Sequence, residues 1–130
     1  MPVRGIRGAT TICEDHPDVI RMATRELLLA VCAANPSLRT ADIASAIFTV
    51  TEEIRSVYPA QAARALGWEE VPLMCAQEIP VAGSLPFCIR VMILWNTDLP
   101  QNDVHHVYLH EAVQLRPDLV RSDIPQEGLS

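Results

Sequence analysis

The segment from Cys88 to Trp95 alternates two kinds of side chain, which is the pattern of a β-strand. One side of this strand carries Ile89, Val91, Ile93 and Trp95, and the other carries Arg90, Met92 and Leu94. An arginine on an otherwise apolar face is costly unless an anionic group meets it. The segment therefore predicts either an internal partner for Arg90, such as Glu78, or a ligand that carries a carboxylate or a phosphate.

Two further strand-like segments lie next to charged residues. The run from Val71 to Ala76 leads to the carboxylate of Glu78. The run from Val3 to Thr11 is rich in β-branched residues and has glycines around Arg7. Glycines in a strand allow another backbone or a ligand to approach closely. Arg7 is therefore a second candidate for binding an anion, and a solvated arginine at the end of a strand is the alternative.

Two segments have the signals of helices. Asp15 and Pro17 mark a helix start, and Asn35 followed by proline marks a stop. Between them, apolar residues recur at three- and four-residue spacing, which predicts a buried stripe formed by Val19, Ala23, Leu27, Ala30, Val31 and Ala34. A short helix is predicted from Ala60 to Leu66, because a proline precedes it and a glycine follows it.

The remaining segments complete the predicted architecture. Residues Ala44 to Thr51 alternate as a strand, and Val107 to Leu109 predict a short last strand. From Glu111 onward the periodicity is lost and two prolines follow, which predicts a mobile end. Five strands, two helices and one long crossover favour an α+β domain with a sheet of mixed strand direction.

The composition bounds the class of protein. A chain of 130 residues is a single domain, and its 49% hydrophobic content predicts that some apolar surface is buried between subunits. The net charge of −6 argues against nucleic acid as a partner. All ten basic residues are arginine, so lysine Schiff bases and a P-loop lysine are excluded. Anions would then be bound by guanidinium groups, which suit carboxylates.

Other chemistries have weak signals in the sequence. His105, His106, His110 and Glu111 match no metal-binding spacing, and surface histidines are the favoured interpretation. The four cysteines, Cys13, Cys32, Cys75 and Cys88, form no C-x-x-C pair and are interpreted as thiols rather than disulfides or ligands. The chain has no apolar signal segment near its start and no run of about 18 apolar residues, so we expect a cytoplasmic protein without a membrane partner.

Five segments together resemble one known family, the monofunctional chorismate mutases of the trimeric, Bacillus-type group. They are RGIRGATT from Arg4, VYPAQAAR from Val57, VPLMCAQE from Val71, CIRVMILWNTDLPQ from Cys88 and HVYLHEAVQLRPDL from His106. The resemblance runs in register from Val3 to about Leu119. It implies one domain over residues 1–119, followed by a flexible tail at 120–130.

The resemblance implies a fold, an assembly and a set of site residues. The fold is a five-stranded mixed sheet with helices packed on it, assembled as a pseudo-α/β-barrel homotrimer with active sites between subunits. One subunit would supply Arg7, Cys75, Glu78, Arg90, Tyr108, Leu115 and Arg116, and its neighbour Tyr58, Ala60 and Arg64. Two positions depart from the common pattern: Tyr58 stands where phenylalanine is common, and Gln61 where lysine can occur. Loss of that lysine would slow the encounter with an anionic substrate.

The implied reaction converts chorismate to prephenate by an intramolecular [3,3] rearrangement that needs no cofactor, metal or proton transfer. Arg90 would meet the charge on the breaking ether oxygen, and Glu78 would accept a hydrogen bond from the ring hydroxyl, with Cys75 assisting there. Arg7 and Tyr108 would hold the side-chain carboxylate. Two other classes stay open: a trimeric module that binds small carboxylates without turnover, and an enamine deaminase.

Overall fold

The computed structural model describes residues 1–115, which form five strands and two α-helices around one sheet. The strands are β1 (Val3–Thr11), β2 (Ile43–Val50), β3 (Leu73–Gln77), β4 (Cys88–Asn96) and β5 (Val107–Tyr108). The helices are α1 (Pro17–Ala34) and α2 (Ala60–Ala65), and short 3-10 helices span Thr40–Asp42, Gln101–Asp103 and His110–Gln114. The predicted α+β class is confirmed.

The sheet has the strand order β3-β2-β4-β1-β5. The central strand β4 runs antiparallel to both of its neighbours, whereas β3 is parallel to β2 and β5 is parallel to β1. The mixed strand direction therefore agrees with the prediction. The strand with the strongest apolar alternation occupies the centre, where both of its edges are hydrogen-bonded.

Helix α1 begins and ends where the sequence signals place it. His16 is the N-cap and its Nδ1 accepts a hydrogen bond from the Asp18 N–H at 3.1 Å, while Pro17 occupies the first turn. At the other end, Asn35 donates its backbone N–H to Val31 and Cys32 and its side chain to Val31. Both ends of the helix thus have partners for groups that a helix terminus leaves unpaired.

The buried stripe of α1 differs in part from the predicted one. The fully buried side of the helix contains Ile20, Thr24, Leu27, Leu28, Val31 and Ala34. Val19, Ala23 and Ala30 are only half-buried, and Ala23 and Ala30 pack against the buried clusters. In an alanine-rich helix, stripes that are displaced by one residue fit the same three- and four-residue spacing. Contact with the larger side chains of the sheet decides which of these stripes is fully buried.

The core lies between one face of the sheet and the two helices. Ile6, Phe48, Val91 and Ile93 project from the strands into this layer, where they are shielded from solvent. Gly8 allows α1 to approach, because a Cβ added there would lie 3.0 Å from the Val91 side chain and 3.3 Å from Leu27. The absence of a side chain at Gly8 therefore allows close helix–sheet packing.

Most predicted bounds lie within one residue of the observed ones, and two predictions differ by more. Strand β3 begins at Leu73 rather than Val71, because Val71 is still in a turn and donates its N–H to the Trp68 carbonyl. Residues His110–Gln114 form a 3-10 helix instead of an irregular end, and Ala112 within it is fully buried. A single small residue that packs under the sheet leaves no periodic signal. The predicted tail at 120–130 lies outside the described residues.

The opposite face of the sheet is covered only near Tyr108, by the 3-10 helix at His110–Gln114, and is otherwise uncovered in the single chain. Ile47, Met74 and Met92 project there and keep 39%, 66% and 39% of their surface exposed. Large apolar side chains grouped on one exposed face are typical of a surface that meets another protein. Among residues 1–115, no helix is long and apolar enough to cross a membrane.

Candidate active site

A pocket of about 230 Å³ opens on the uncovered face of the sheet. Five of the residues predicted for the site line it, namely Arg7, Glu78, Arg90, Tyr108 and Leu115. They come from five different segments, so only the folded chain brings them together. The pocket combines two guanidinium groups, one carboxylate and one phenol on an apolar floor.

The register of the strands explains this convergence. Arg90 of β4 lies opposite Ala9 of β1 and Thr49 of β2, and Ala9 lies opposite Tyr108 of β5. Directly opposed residues in a sheet project from the same face. Arg7 belongs to that face as well, because it lies two residues before Ala9. The small side chain of Ala9 leaves space between the larger polar groups.

Arg90 and Glu78 form a loose ion pair. The Arg90 Nε lies 3.7 Å from Glu78 Oε2, which is beyond hydrogen-bond distance, and the two side chains are 29% and 28% exposed. Thr49 Oγ1 donates to the same carboxylate oxygen at 2.5 Å. The Arg90 Nε is buried and makes no hydrogen bond to any residue of the described part of the chain. A buried donor of this kind favours a ligand acceptor in the pocket.

A small apolar cluster adjoins the pocket and shares Ala9, Tyr108 and Leu115 with its lining. Ala9, Cys88, Tyr108 and Ala112 are buried in contact with one another, and Leu115 packs against them. Burial raises the pKa of the Cys88 thiol, although the neighbouring Arg90 guanidinium partly opposes this effect. Cys88 is therefore a neutral thiol at neutral pH and serves packing rather than nucleophilic chemistry.

The three histidines near β5, which the sequence favoured as surface residues, have separate partners. His106 Nδ1 accepts a hydrogen bond from the Arg7 backbone N–H at 2.9 Å, so it extends the β1–β5 edge. His110 Nε2 lies 2.9 Å from the Glu26 carboxylate on α1, and the His105 backbone N–H donates to Asn35. Within residues 1–115, no group of three or more His, Cys, Asp or Glu side chains could hold a metal ion.

The other predicted residues lie away from this pocket in the single chain. Cys75 is opposite Phe48 and therefore projects from the helix side of the sheet. It lines a second pocket, of about 470 Å³, together with Tyr58 and Gln61. Tyr58 is 67% exposed, and Ala60 is buried. The contact of Cys75 with the ring hydroxyl stays a prediction, because Cys75 does not line the Arg90 pocket of the same subunit.

The two other predicted arginines are Arg64 and Arg116. Arg64 is exposed on α2, outside the Arg90 pocket. Leu115, the last residue that the structure describes, lines that pocket, whereas Arg116 lies outside the described residues. The places of both arginines in the cleft between subunits therefore stay predictions.

Sequence reasoning missed Thr49 and the support behind it. Thr49 orients Glu78, and the alternation of β2 does place it on the face opposite Phe48. The pattern could not reveal its partner, because the contact depends on the parallel pairing of β2 with β3. His106 was interpreted as a surface histidine, and its bond to Arg7 depends on a contact across 99 residues.

Known proteins with this architecture share much of the sequence. The family described as Chorismate mutase type I matches residues 3–119. The Chorismate mutase AroH of Thermus thermophilus is 59% identical over 117 residues, which cover 90% of this chain and 96% of that protein. The Chorismate mutase AroH of Bacillus subtilis is 43% identical over 120 residues, which cover 92% of this chain and 94% of that protein.

A solved structure agrees with the fold. A chorismate mutase from Clostridium thermocellum superimposes with a TM-score of 0.80 at 47% sequence identity. The match covers 83% of this chain and 96% of the other.

Proposed function

Because the chain belongs to the type I chorismate mutase family, we propose that it converts chorismate to prephenate in a site built around the Arg90 pocket. The observation that carries this proposal is the buried Arg90 Nε, which lacks a hydrogen bond within residues 1–115 and faces an apolar pocket next to Glu78. The reaction is an intramolecular rearrangement, so the enzyme has no bond to form with the substrate.

In this mechanism Arg90 meets the ether oxygen as it gains negative charge during bond breaking. A fixed guanidinium in a water-poor site stabilises that charge without any reorganisation at the moment of reaction. Its planar fork can reach the oxygen and a carboxylate together. The contact is strongest in the transition state, and interactions of that kind raise kcat rather than only the affinity for substrate.

Arg7 and Tyr108 would hold the carboxylate of the enolpyruvyl side chain over the ring. The rearrangement needs a compact conformer, and restricting a flexible group to that conformer removes part of the barrier. Glu78 would accept a hydrogen bond from the ring hydroxyl. Its orientation is supported by the Thr49 hydroxyl, which holds the carboxylate oxygen nearer to Arg90.

A homotrimer would complete the site. The pocket opens on the sheet face that exposes Ile47 and Met92, and a neighbouring subunit on that face would exclude water from it. The exposed Tyr58, together with Ala60 and Arg64, would close the cleft from the neighbour. The second pocket, which contains Tyr58 and Cys75, would then face the Arg90 pocket of the adjoining subunit.

We also propose a cytoplasmic location, chorismate and prephenate as the small-molecule partners, and no nucleic-acid partner. The net charge of −6 disfavours binding to a phosphate backbone. All four cysteines are free thiols, a state that a reducing compartment maintains. Fractionation of cells that produce the protein at native level would test the location.

The decisive experiment follows the ultraviolet absorbance of chorismate during incubation with the purified protein. Loss of absorbance with formation of prephenate supports the proposal. Binding of chorismate without turnover would favour the carboxylate-binding module, and release of ammonia from an enamine would favour the deaminase. Sedimentation equilibrium tests the assembly, and a fully active monomer at micromolar concentration would overturn the shared cleft.

A further inference from the structure

The two charged residues at the centre of the pocket are joined by a connection with little structure of its own. Glu78 directly follows β3, and Arg90 lies near the start of β4. Between them, residues 79–87 form no helix or strand, and most of them are exposed. A loop of this kind does not fix the distance between its ends. Other contacts must therefore hold Arg90 against Glu78.

The start of the loop is held by the end of β2. The Glu78 backbone N–H donates to the Val50 carbonyl at 2.8 Å, and its side chain accepts from Thr49. These two contacts fix both the backbone and the carboxylate of Glu78. Both contacts come from consecutive residues at the end of β2, so the end of that strand fixes the position of Glu78.

The return of the loop is held by the next residues of that same segment. Glu53 Oε1 accepts the Phe87 backbone N–H at 2.6 Å and the Thr51 hydroxyl at 2.8 Å. Thr51 Oγ1 in turn accepts the Cys88 N–H at 3.0 Å, and the Thr51 N–H donates to the Cys88 carbonyl at 3.1 Å. A single carboxylate oxygen thus connects the segment after β2 with the first residues of β4.

The backbone at Phe87 shows why this contact matters. Phe87 has a φ of 50°, in the left-handed region that is unfavourable for a residue with a bulky side chain. It persists because partners hold both sides of the residue: Glu53 accepts its N–H, and Ile12 donates to its carbonyl at 2.9 Å. The same hydrogen bonds from Phe87 and Thr51 lower the pKa of Glu53, so the side chain is an acceptor at neutral pH.

We propose that Glu53 is a positioning residue, which acts through Thr51 and Phe87 to fix the start of β4 and thereby the placement of Arg90 relative to Glu78. It touches neither the pocket nor any reacting group. The inference rests on the proposed function, since placement matters only if Arg90 meets charge in the transition state. The positioning role requires an acceptor oxygen on residue 53, because the Thr51 hydroxyl and the Phe87 N–H both donate to one oxygen atom of Glu53.

The test compares three variants of the full-length protein. Glu53→Ala removes the acceptor, Glu53→Gln keeps an acceptor oxygen without the charge, and Glu52→Ala is the matched control on the neighbouring exposed carboxylate. Misplacement of a reacting group by about 1 Å can cost about 100-fold in rate. Since Ile12 and the strand pairing still hold β4, we expect about a tenfold loss in kcat for Glu53→Ala, with KM changed less than about threefold.

A structural readout accompanies the kinetics. Hydrogen exchange of the segment 79–90, followed by mass spectrometry, should be faster in Glu53→Ala than in the wild type, Glu53→Gln and Glu52→Ala. If Glu53→Ala fails to fold, Thr51→Val removes the second member of the same contact and should show the same loss of kcat. Because valine is isosteric with threonine, its effect isolates the hydroxyl.

The outcomes separate this inference from the proposed function. Wild-type kcat in Glu53→Ala, or an equal loss in Glu53→Gln, would overturn the positioning role. A wild-type protein that does not convert chorismate would overturn the proposed function instead. In that case the hydrogen-exchange rate of the segment 79–90 still tests the contact. An unchanged rate in Glu53→Ala would show that Glu53 does not hold the loop, and a faster rate would support the contact.

Discussion

Replacing Arg90 by lysine keeps the positive charge and removes the planar fork, so it separates two roles for this residue. If Arg90 is mainly the partner of Glu78, the change should alter stability. If it meets the ether oxygen, the change should alter turnover. The structure predicts very different magnitudes for the two effects, and one pair of measurements decides between them.

The stability effect follows from the geometry of the pair. At 3.7 Å and an effective dielectric constant of about 20, the attraction between Arg90 and Glu78 is roughly 4 kcal/mol before desolvation is counted. Both side chains are more than a quarter exposed, and pairs in such positions contribute about 1 kcal/mol or less. A loss of about 1 kcal/mol lowers the Tm of a domain of this size by roughly 4 °C.

The catalytic effect should be larger. Removing one donor to a developing charge costs about 10²- to 10³-fold in kcat, or roughly 3 to 4 kcal/mol. We therefore expect Arg90→Lys to lose at least about 100-fold in kcat at 25 °C while it remains folded. Arg90→Ala should have no measurable turnover. Arg39→Lys is the matched control, because Arg39 is exposed and does not line the pocket.

The assay is the initial rate of chorismate loss at saturating substrate, with a thermal melt of the same sample. Normal kcat in the folded Arg90→Lys protein, accompanied by a drop in Tm of up to roughly 4 °C, would refute the transition-state role. It would identify Arg90 as half of an ion pair. Retention of kcat in Arg39→Lys shows that the substitution itself is tolerated elsewhere in the chain.

Three further predictions concern the core and the response to pH. Gly8→Ala should destabilise the protein by about 1 to 3 kcal/mol in denaturant unfolding, because its methyl group would crowd Val91 and Leu27; an unchanged midpoint would show that α1 can shift. Burial raises the pKa of Cys88, so above the ordinary value of 9.0 the unfolded chain ionises first and stability should fall; a Cys88→Ala variant should have a shallower slope in urea melts between pH 8 and 10. Without a general acid or base, kcat should be flat from neutral to mildly alkaline pH, and a bell-shaped profile near a histidine pKa would contradict the mechanism.

Local patterns were enough to predict the elements that the sheet is built from. The alternation around Arg90 placed it on the face opposite Val91, and the structure confirms that face. Pro17 and Asn35 bound α1 because backbone chemistry at helix ends depends on a few adjacent residues. Such signals are short-range, so a single sequence contains them in full.

Contacts between distant segments could not be predicted in this way. Cys75 shows the limit: its strand was recognised, but the face it projects from depends on pairing with Phe48. The contact of Glu53 with Phe87 spans 34 residues, and neither residue belongs to a pattern. Ala112 is buried because a 3-10 helix folds back beneath Tyr108, and an alanine in a polar segment gives no periodic signal.

The position of the pocket on an open sheet face connects catalysis with assembly. The electrostatic stabilisation proposed for Arg90 would be strong only where water is excluded, because water weakens the field of a fixed charge. Within the described residues, the pocket is bordered by the exposed side chains of Ile47 and Met92 rather than covered. The same apolar surface that favours association therefore surrounds the charge that needs protection. Burial of Met92 against a neighbouring subunit would stabilise the assembly and lower the local dielectric at Arg90 in one step, so loss of association should reduce kcat before it unfolds the subunit.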